Sequence, residues 1–328
     1  MRERLVLVVL VLVASAGTAQ AWGRGTNLVR RYRPGQRMVY RTSIETEAKI
    51  RSNPEGLKAF LPPLPTRLST RQQNTVTVRS VSPEGVAEVE NRFDEFELES
   101  NLPDLVSEEN RDSTRAAQED LGKLVRGQTL TVRYDRSGKL LGFEGTEAVL
   151  GDLDPPLRQA AQQMLRLFLE QMGGHSLYPG YRVKKGEEWK QKLDASPAEG
   201  FPFQVEGEST MRFIGKARYR GVKAAVIDFN FTNILRPSMP SLREAGPLAQ
   251  LASRGMALDI KIDGQGQGRM LVALDDGRVL QNHATIRQTL SARLNTAAGV
   301  HLPVAGPLTV DVDSQTRLEL EGEGQPGH

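Results

Sequence analysis

The sequence predicts an α+β protein that is mainly β, with two related, curved antiparallel sheets (half-barrel-like) and one amphipathic helix at 154–173 enclosed by them. Three observations predict it. Residues 37–50 alternate with period 2: Met38, Tyr40, Thr42, Ile44, Thr46, Ala48 and Ile50 fall on one face, and Arg37, Val39, Arg41, Ser43, Glu45, Glu47 and Lys49 on the other, as in a strand with one covered and one wet side. The segment Tyr181-Arg-Val-Lys-Lys-Gly-Glu-Glu-Trp189 echoes Tyr32-Arg-Pro-Gly-Gln-Arg-Met-Val-Tyr40, so a strand opener occurs twice. Between the openers, Leu157, Ala160, Ala161, Met164, Leu165, Phe168 and Met172 recur at i, i+3 and i+4, an apolar helical stripe.

Residues 1–21 read as a secretory signal peptide. Arg2 and Arg4 form the basic start, Leu5 to Val13 the apolar run, and Ala19-Gln20-Ala21 the cleavage site. The run is too short for a comfortable membrane span, and no other long apolar run follows it. The expectation is an exported chain, periplasmic or extracellular, that starts at Trp22 and has no transmembrane segment once the signal is removed. The sequence has no cysteine, which removes disulfides, thiolate metal sites and thiol nucleophiles. The formal net charge is +3 and the signs alternate along the chain. There is no basic stripe to track phosphates, so nucleic acid is not an expected partner.

In the first half (22–151), the strand at 37–50 is followed by Phe60-Leu-Pro-Pro-Leu-Pro65. Its prolines cannot donate to a ladder. It reads as a loop packed on the sheet edge, with an apolar lip over a cavity as the alternative. Strands follow at 67–81 and 86–99, joined by the turn Ser82-Pro-Glu-Gly85. Ala87, Val89 and Phe93 share a parity that Phe96 and Leu98 do not, which calls for a bulge near Asp94. The acidic residues of that strand alternate with apolar ones and read as its solvated face. A helix is expected over 113–125 with Ser113 as N-cap, then a hairpin at 127–143 turning through Asp135-Arg-Ser-Gly138.

The pivot (152–180) holds the apolar helix, begun by Asp154 and Pro155-Pro156 and stopped by Gly173-Gly174. The second half (181–321) restarts at Trp189. Strands are expected at 204–214, 222–232, 256–262, 269–274, 278–290 and 308–320, with proline-bearing 234–240 and a short helix beginning at the capping box Ser241-Leu-Arg-Glu244. Residues 322–328 read as a disordered tail.

Residues that carry chemistry are sparse. Four histidines are present, and no H-E-x-x-H, G-x-S-x-G or P-loop pattern occurs. Gly264-Gln-Gly-Gln-Gly268 runs from strand to strand, without the helix N-terminus that would meet a phosphate; it reads as a bend or bulge. Asp259, Asp263, Asp275 and Asp276 lack the spacing of a calcium loop. His283 reads as a structural histidine on a long strand. No catalytic residue, metal site or cofactor is predicted.

On both openers, on Gly127-Gln-Thr-Leu and Asp135-Arg-Ser-Gly138-Lys-Leu-Leu-Gly142, and on the restart Leu177-Tyr-Pro-Gly-Tyr-Arg-Val-Lys-Lys-Gly-Glu-Glu-Trp189, the chain resembles a family of uncharacterised exported bacterial proteins. It departs from that pattern at Pro34-Gly35 and in its longer proline-rich inserts. The resemblance implies no activity. In shape the predicted fold is similar to the periplasmic lipoprotein-carrier superfamily, whose half-barrel and helices enclose an apolar cavity.

These readings converge on a non-catalytic envelope protein that binds a lipid or other amphiphile in a concave sheet. Met38, Tyr40, Phe143, Met164, Phe168 and Trp189 are the candidate cavity wall. For each of them the plain alternative is core packing. The other functional expectation is a structural or protein-interaction module with an envelope protein as partner and no small-molecule ligand.

Overall fold

The structure, a computed structural model, describes residues 26–52, 66–101, 108–151, 181–195, 203–237, 256–296 and 307–324, together with 158, 162, 165, 166, 169, 178 and 179. The signal peptide at 1–21, the proline-rich 60–65, the helix expected from Ser241, and most of the pivot lie outside them.

Strands dominate. In the first half β1 (Thr26–Asn27), β2 (Arg37–Ser52), β3 (Arg67–Val81) and β4 (Ala87–Ser100) precede α1 (Glu108–Val125). Then come β5 (Thr129–Tyr134), β6 (Leu140–Glu144) and the single turn α2 (Glu147–Leu150). The second half contributes β7 (Arg182–Val183), β8 (Glu188–Ala195), β9 (Phe203–Tyr219), β10 (Val222–Pro237), β11 (Met256–Ala273), β12 (Val279–Thr296) and β13 (Leu308–Gly324).

Two sheets were expected from the repeated opener. Instead the halves lie side by side in one antiparallel sheet of eleven strands, in the order β6-β5-β4-β3-β2-β13-β12-β11-β10-β9-β8. Each half is a meander, and the two join where β2 pairs with β13 over nearly its whole length. The sheet is not closed: β6 and β8 are its edges. The physical reason is at β2. Its alternation covers one face and leaves both backbone edges open to pairing, so a strand arriving from the C-terminal end completes it. A separate short ladder pairs β1 with β7.

The openers share a backbone device. Gly35 N–H donates to the Val78 carbonyl at 2.8 Å and Gly186 N–H to that of Phe213 at 2.7 Å. Gln36 N–H closes on Arg33 and Glu187 N–H on Lys184, both at 3.0 Å. Val78 N–H returns to Gln36 at 2.9 Å, and Phe213 N–H to Glu187 at 3.0 Å. Gly35 and Gly186 have φ of 77° and 84°, a left-handed conformation in which glycine has no Cβ to clash. Three residues on, Met38 and Trp189 occupy equivalent buried positions.

The bulge expected near Asp94 is present. Gln73 faces Glu95 and Asn74 faces Phe93, so Asp94 is the extra residue, and it accepts the Thr75 hydroxyl hydrogen bond at 2.5 Å. Other expectations are corrected. Helix α1 begins five residues before Ser113, with Glu108 in a first turn where a carboxylate favours the helix dipole. β10 continues to Pro237 at its end, where a missing donor is tolerated. β13 runs to Gly324 and pairs with β2 as far as Arg37, so 322–324 belong to the sheet rather than a tail. Gly264–Gly268 is neither bend nor bulge: β11 is one strand through it, in unbroken register with both neighbours.

Candidate functional site

Register divides the sheet into two faces. Across the seven strands from β8 to β2, one row reads Trp189, Met211, Phe229, Gly268, Ala284, Thr316, Ile44. The adjacent row, one residue along each strand and hence on the opposite face, reads Glu188, Arg212, Asp228, Arg269, His283, Arg317, Ser43.

The charged face is hollowed by a trough of about 890 Å³ that reaches from Glu188 on β8 to Ser43 and Glu45 on β2. Inside it the charges pair across strands. Arg269 grips Asp228 with two bonds of 2.6 and 2.9 Å, and Arg212 lies 3.8 Å from Glu188. The Arg269 hydrogen bond holds the Asp228 carboxyl below the usual carboxylate range against a small opposing effect of burial. At the margin, bonds from Arg317 and Gln281 lower the Glu319 carboxyl in the same way. His283 Nε2 is 3.9 Å from Glu319, beyond hydrogen-bond reach. These groups are open to solvent, and among the described residues that line the trough no hydrogen bond joins a hydroxyl to a base. The trough has the chemistry of a solvated, cross-strand-paired face. An apolar concave side was expected; this hollow is polar, and none of the four predicted wall residues that are described (Met38, Tyr40, Phe143 and Trp189) lines it.

The uncharged face holds those residues, in two clusters. Met38, Tyr40 and the half-buried Phe143 belong to the cluster over the first half, with Val76, Val89, Val132 and Tyr134. Trp189 belongs to the other, with Met211, Phe213, Ile227, Phe229 and Phe231. Met164 and Phe168 lie outside the described residues. Their neighbours Arg158, Gln162, Leu165, Arg166 and Leu169 are helical. Leu165 and Leu169 pack on the first-half cluster, and the Tyr134 hydroxyl donates to the Leu169 carbonyl at 2.9 Å.

The glycine run serves the second cluster. Gly266 opposes Phe231, and Gly268 opposes Phe229. A Cβ on either glycine would collide with the facing phenyl ring, and one on Gly264 with the Asn233 side chain. The bare strand is the bed on which the two rings lie, a packing use of glycine in a sheet.

Buried polar atoms are paired at some places in the sheet and unpaired at others. In the first half the Tyr40 hydroxyl donates to the Met38 sulfur at 3.5 Å, and Asn74 donates to Asn91 at 2.8 Å. At the seam Thr46 and Ser314 hydroxyls bond at 3.0 Å. In the second half Trp189 Nε1, Gln191 Oε1, Ser209 Oγ and Asn233 Oδ1 are buried and find no hydrogen-bond partner among the described residues. Trp189, Ser209 and Asn233 are 2 %, 2 % and 7 % exposed. Of the four, the sequence reading named Trp189 alone. Gln191, Ser209 and Asn233 were legible by parity, since each is a polar residue in phase with inward apolar ones.

A buried ionic knot sits where the N-terminal segment crosses the β11–β12 turn. Arg278 Nη1 donates to Asp276 Oδ2 at 2.6 Å, the Gln36 amide donates to the same oxygen, and Arg30 lies 3.9 Å from it. The Asp276 carbonyl also accepts the Arg31 N–H at 2.7 Å. Burial alone would push the Asp276 carboxyl up. The Arg278 N–H, the charges of Arg30 and Arg278, and the Gln36 amide outweigh it, so the carboxyl titrates below its ordinary value. Arg30 lies over the Tyr32 ring, 4.6 Å from its centroid, and Tyr32 stacks on Tyr134. Burial pushes the Tyr32 phenol up to about 12. These groups hold the N-terminal segment down.

Among the described residues no helix is long and apolar enough to cross a membrane. No protein-family model matches the chain, and no curated protein matches it. Among solved structures, lipovitellin, in a study of its lipid–protein interactions, is similar over 91 % of this chain at 13 % identity, with a TM-score of 0.40. This chain spans 26 % of that one. DynF of the dynemicin biosynthesis pathway of Micromonospora chersina is similar over 94 % of this chain and 90 % of its own, at 10 % identity and a TM-score of 0.18.

Proposed function

We propose that this is a non-catalytic exported envelope protein that carries a lipid or other apolar ligand against the uncharged face of its sheet. The observation that supports this reading is the breadth of the uncharged face. From β8 to β2 the inward positions are uncharged over seven strands, roughly 30 Å of sheet. A one-sided sheet needs a second layer. The described residues that pack on it from outside the eleven-stranded sheet are Leu28, Tyr178, Tyr181 and Val183 on the second-half cluster and Tyr32, Leu165 and Leu169 on the first. Helix α1 lies along β4 and leaves Leu124 exposed. In this reading the two β-rich halves each contribute a curved wall, the helix at 154–173 lies over them, and an apolar ligand completes the cover.

The test is native mass spectrometry of the protein isolated from envelope fractions, with displacement of an environment-sensitive fatty-acyl dye. Co-purifying lipid and saturable dye uptake are the expected results. Folded protein that is always empty and takes up no dye overturns the reading. One observation favours the second reading, an interaction module of the envelope: β8 is an edge of the sheet and offers a free ladder for an added strand. Cross-linking of a stoichiometric protein partner to β8, with lipid assays negative, would select it.

A further inference from the structure

We propose that Trp189, Gln191, Ser209 and Asn233 form a polar seat in the uncharged face that holds the neutral hydrogen-bonding head of an amphiphile, of the acylglycerol class. The inference rests on the ligand-carrying reading and deepens it: it names where the head sits and excludes a charged one.

Position carries the first part. Gln191 and Ser209 are direct cross-strand partners on β8 and β9, so their inward Cβ atoms stand roughly 5 Å apart. Trp189 is two residues along β8 from Gln191, on the same face. Ser209 opposes Phe231 on β10, and Asn233 is two residues further along that strand, roughly 7–8 Å diagonally from Ser209. Four buried polar atoms without a partner thus share one patch of three strands. Buried polar groups are mostly paired, as Tyr40, Asn74 and Asn91 are in the first half. Leaving one unpaired is unfavourable, and a ligand that pairs several at once recovers that loss. Asn233 is also fixed in place. Gly207 and Gly264 flank it on the two neighbouring strands, and a Cβ on either would strike it.

Chemistry carries the second part. The indole N–H only donates, the two amide oxygens accept, and the hydroxyl does both. The complement is a head with a carbonyl acceptor and hydroxyl donors. No inward position of β8 to β11 around the seat is charged, so an ionised head would be buried without a counter-ion. An ester carrying free hydroxyls fits; a free carboxylate or phosphate does not.

The experiment uses the mature chain and three eighteen-carbon probes that differ at one end: monooleoylglycerol, oleate and octadecene. Affinities are read by dye displacement and native mass spectrometry, for the wild type, Ser209→Ala and Asn233→Leu. Circular dichroism confirms that each variant keeps its sheet. The wild type is expected to bind monooleoylglycerol about tenfold or more tightly than octadecene, on the scale of one or two satisfied hydrogen bonds, and oleate no better than octadecene. Each variant is expected to lose most of that preference for monooleoylglycerol over octadecene. Equal affinities for all three probes, untouched by the variants, mean that water alone fills the seat, and overturn this inference while leaving ligand carriage standing. Oleate binding tightest overturns it as well. Uptake of none of the three by folded wild-type protein removes the ligand-carrying reading, and the seat with it.

Discussion

The two strand openers are the same backbone with different surroundings. Arg33-Pro34-Gly35-Gln36 and Lys184-Lys185-Gly186-Glu187 make matching hydrogen bonds, to Val78 on β3 and to Phe213 on β9. They diverge at the fourth side chain. The Gln36 amide reaches across to Asp276, more than two hundred residues away in sequence, whereas the Glu187 carboxylate folds back onto the Lys184 N–H at 2.6 Å. The first opener leads into β2, at the interior seam of the sheet, and the second into β8, at an edge. Backbone chemistry therefore starts a strand, and side-chain reach decides how firmly that strand is fixed. Downstream, the Tyr40 hydroxyl and the Asn74 amide behind the first opener are paired, whereas Trp189 Nε1, Gln191 Oε1, Ser209 Oγ and Asn233 Oδ1 behind the second are not.

Breaking the clamp on the first opener has the largest expected effect. Asp276→Ala leaves Arg30 and Arg278 as buried cations beside a lost acceptor, and should destabilise by about 3–5 kcal/mol in urea unfolding. The pH dependence sharpens this. The Asp276 carboxyl is depressed in the folded state, so its contribution is in full force above the ordinary carboxylate value, near about 4. It is lost as pH falls through the depressed one. The stability gap between wild type and Asp276→Asn should therefore close on acidification below about pH 4.

Next in size is Gly266→Val, which drives two methyl groups into the Phe231 ring. Overpacking should cost about 1–3 kcal/mol, read as a lowered urea midpoint. An unchanged midpoint would mean that the rings have room to move and that the second half is loosely filled. The smallest effects test the backbone equivalence directly. Gly35→Ala and Gly186→Ala each force a Cβ into left-handed geometry, at roughly 1–2 kcal/mol. Comparable losses uphold the equivalence. A loss at Gly35 alone would show that the edge strand relaxes where the seam cannot.

Strands were legible wherever one face is wet. Period 2 located β2, the turn Ser82–Gly85 located the hairpin of β3 and β4, and the parity switch from Phe93 to Phe96 located the bulge at Asp94. The join of β2 to β13 was not legible, because pairing partners some 270 residues apart leave no local pattern. For that reason one sheet was read as two. The glycines of β11 were read as a bend because their cause, the rings of Phe229 and Phe231, sits on another strand. The candidate wall divides in the same way. Met38, Tyr40 and Trp189 are buried on the uncharged face where alternation put them, but alternation does not tell which side of a sheet is hollow. Nor does it tell whether a buried polar atom has a partner, which is a property of three strands at once.

The strand order also has a kinetic consequence. Within the eleven-stranded sheet every pairing but one joins neighbours in sequence, and the exception is β2 with β13. Each half is thus a set of local hairpins with inexpensive loop closure, and the seam alone carries the entropy of a very long loop. Two meanders forming early and docking late is the folding order that this topology favours. A circular permutant that opens the chain in the pivot and links the end of β13 to the start of β2 would turn the whole sheet into one continuous meander. Its slow step would then fall away, while the hydrogen-bond ladder of the native sheet stayed the same.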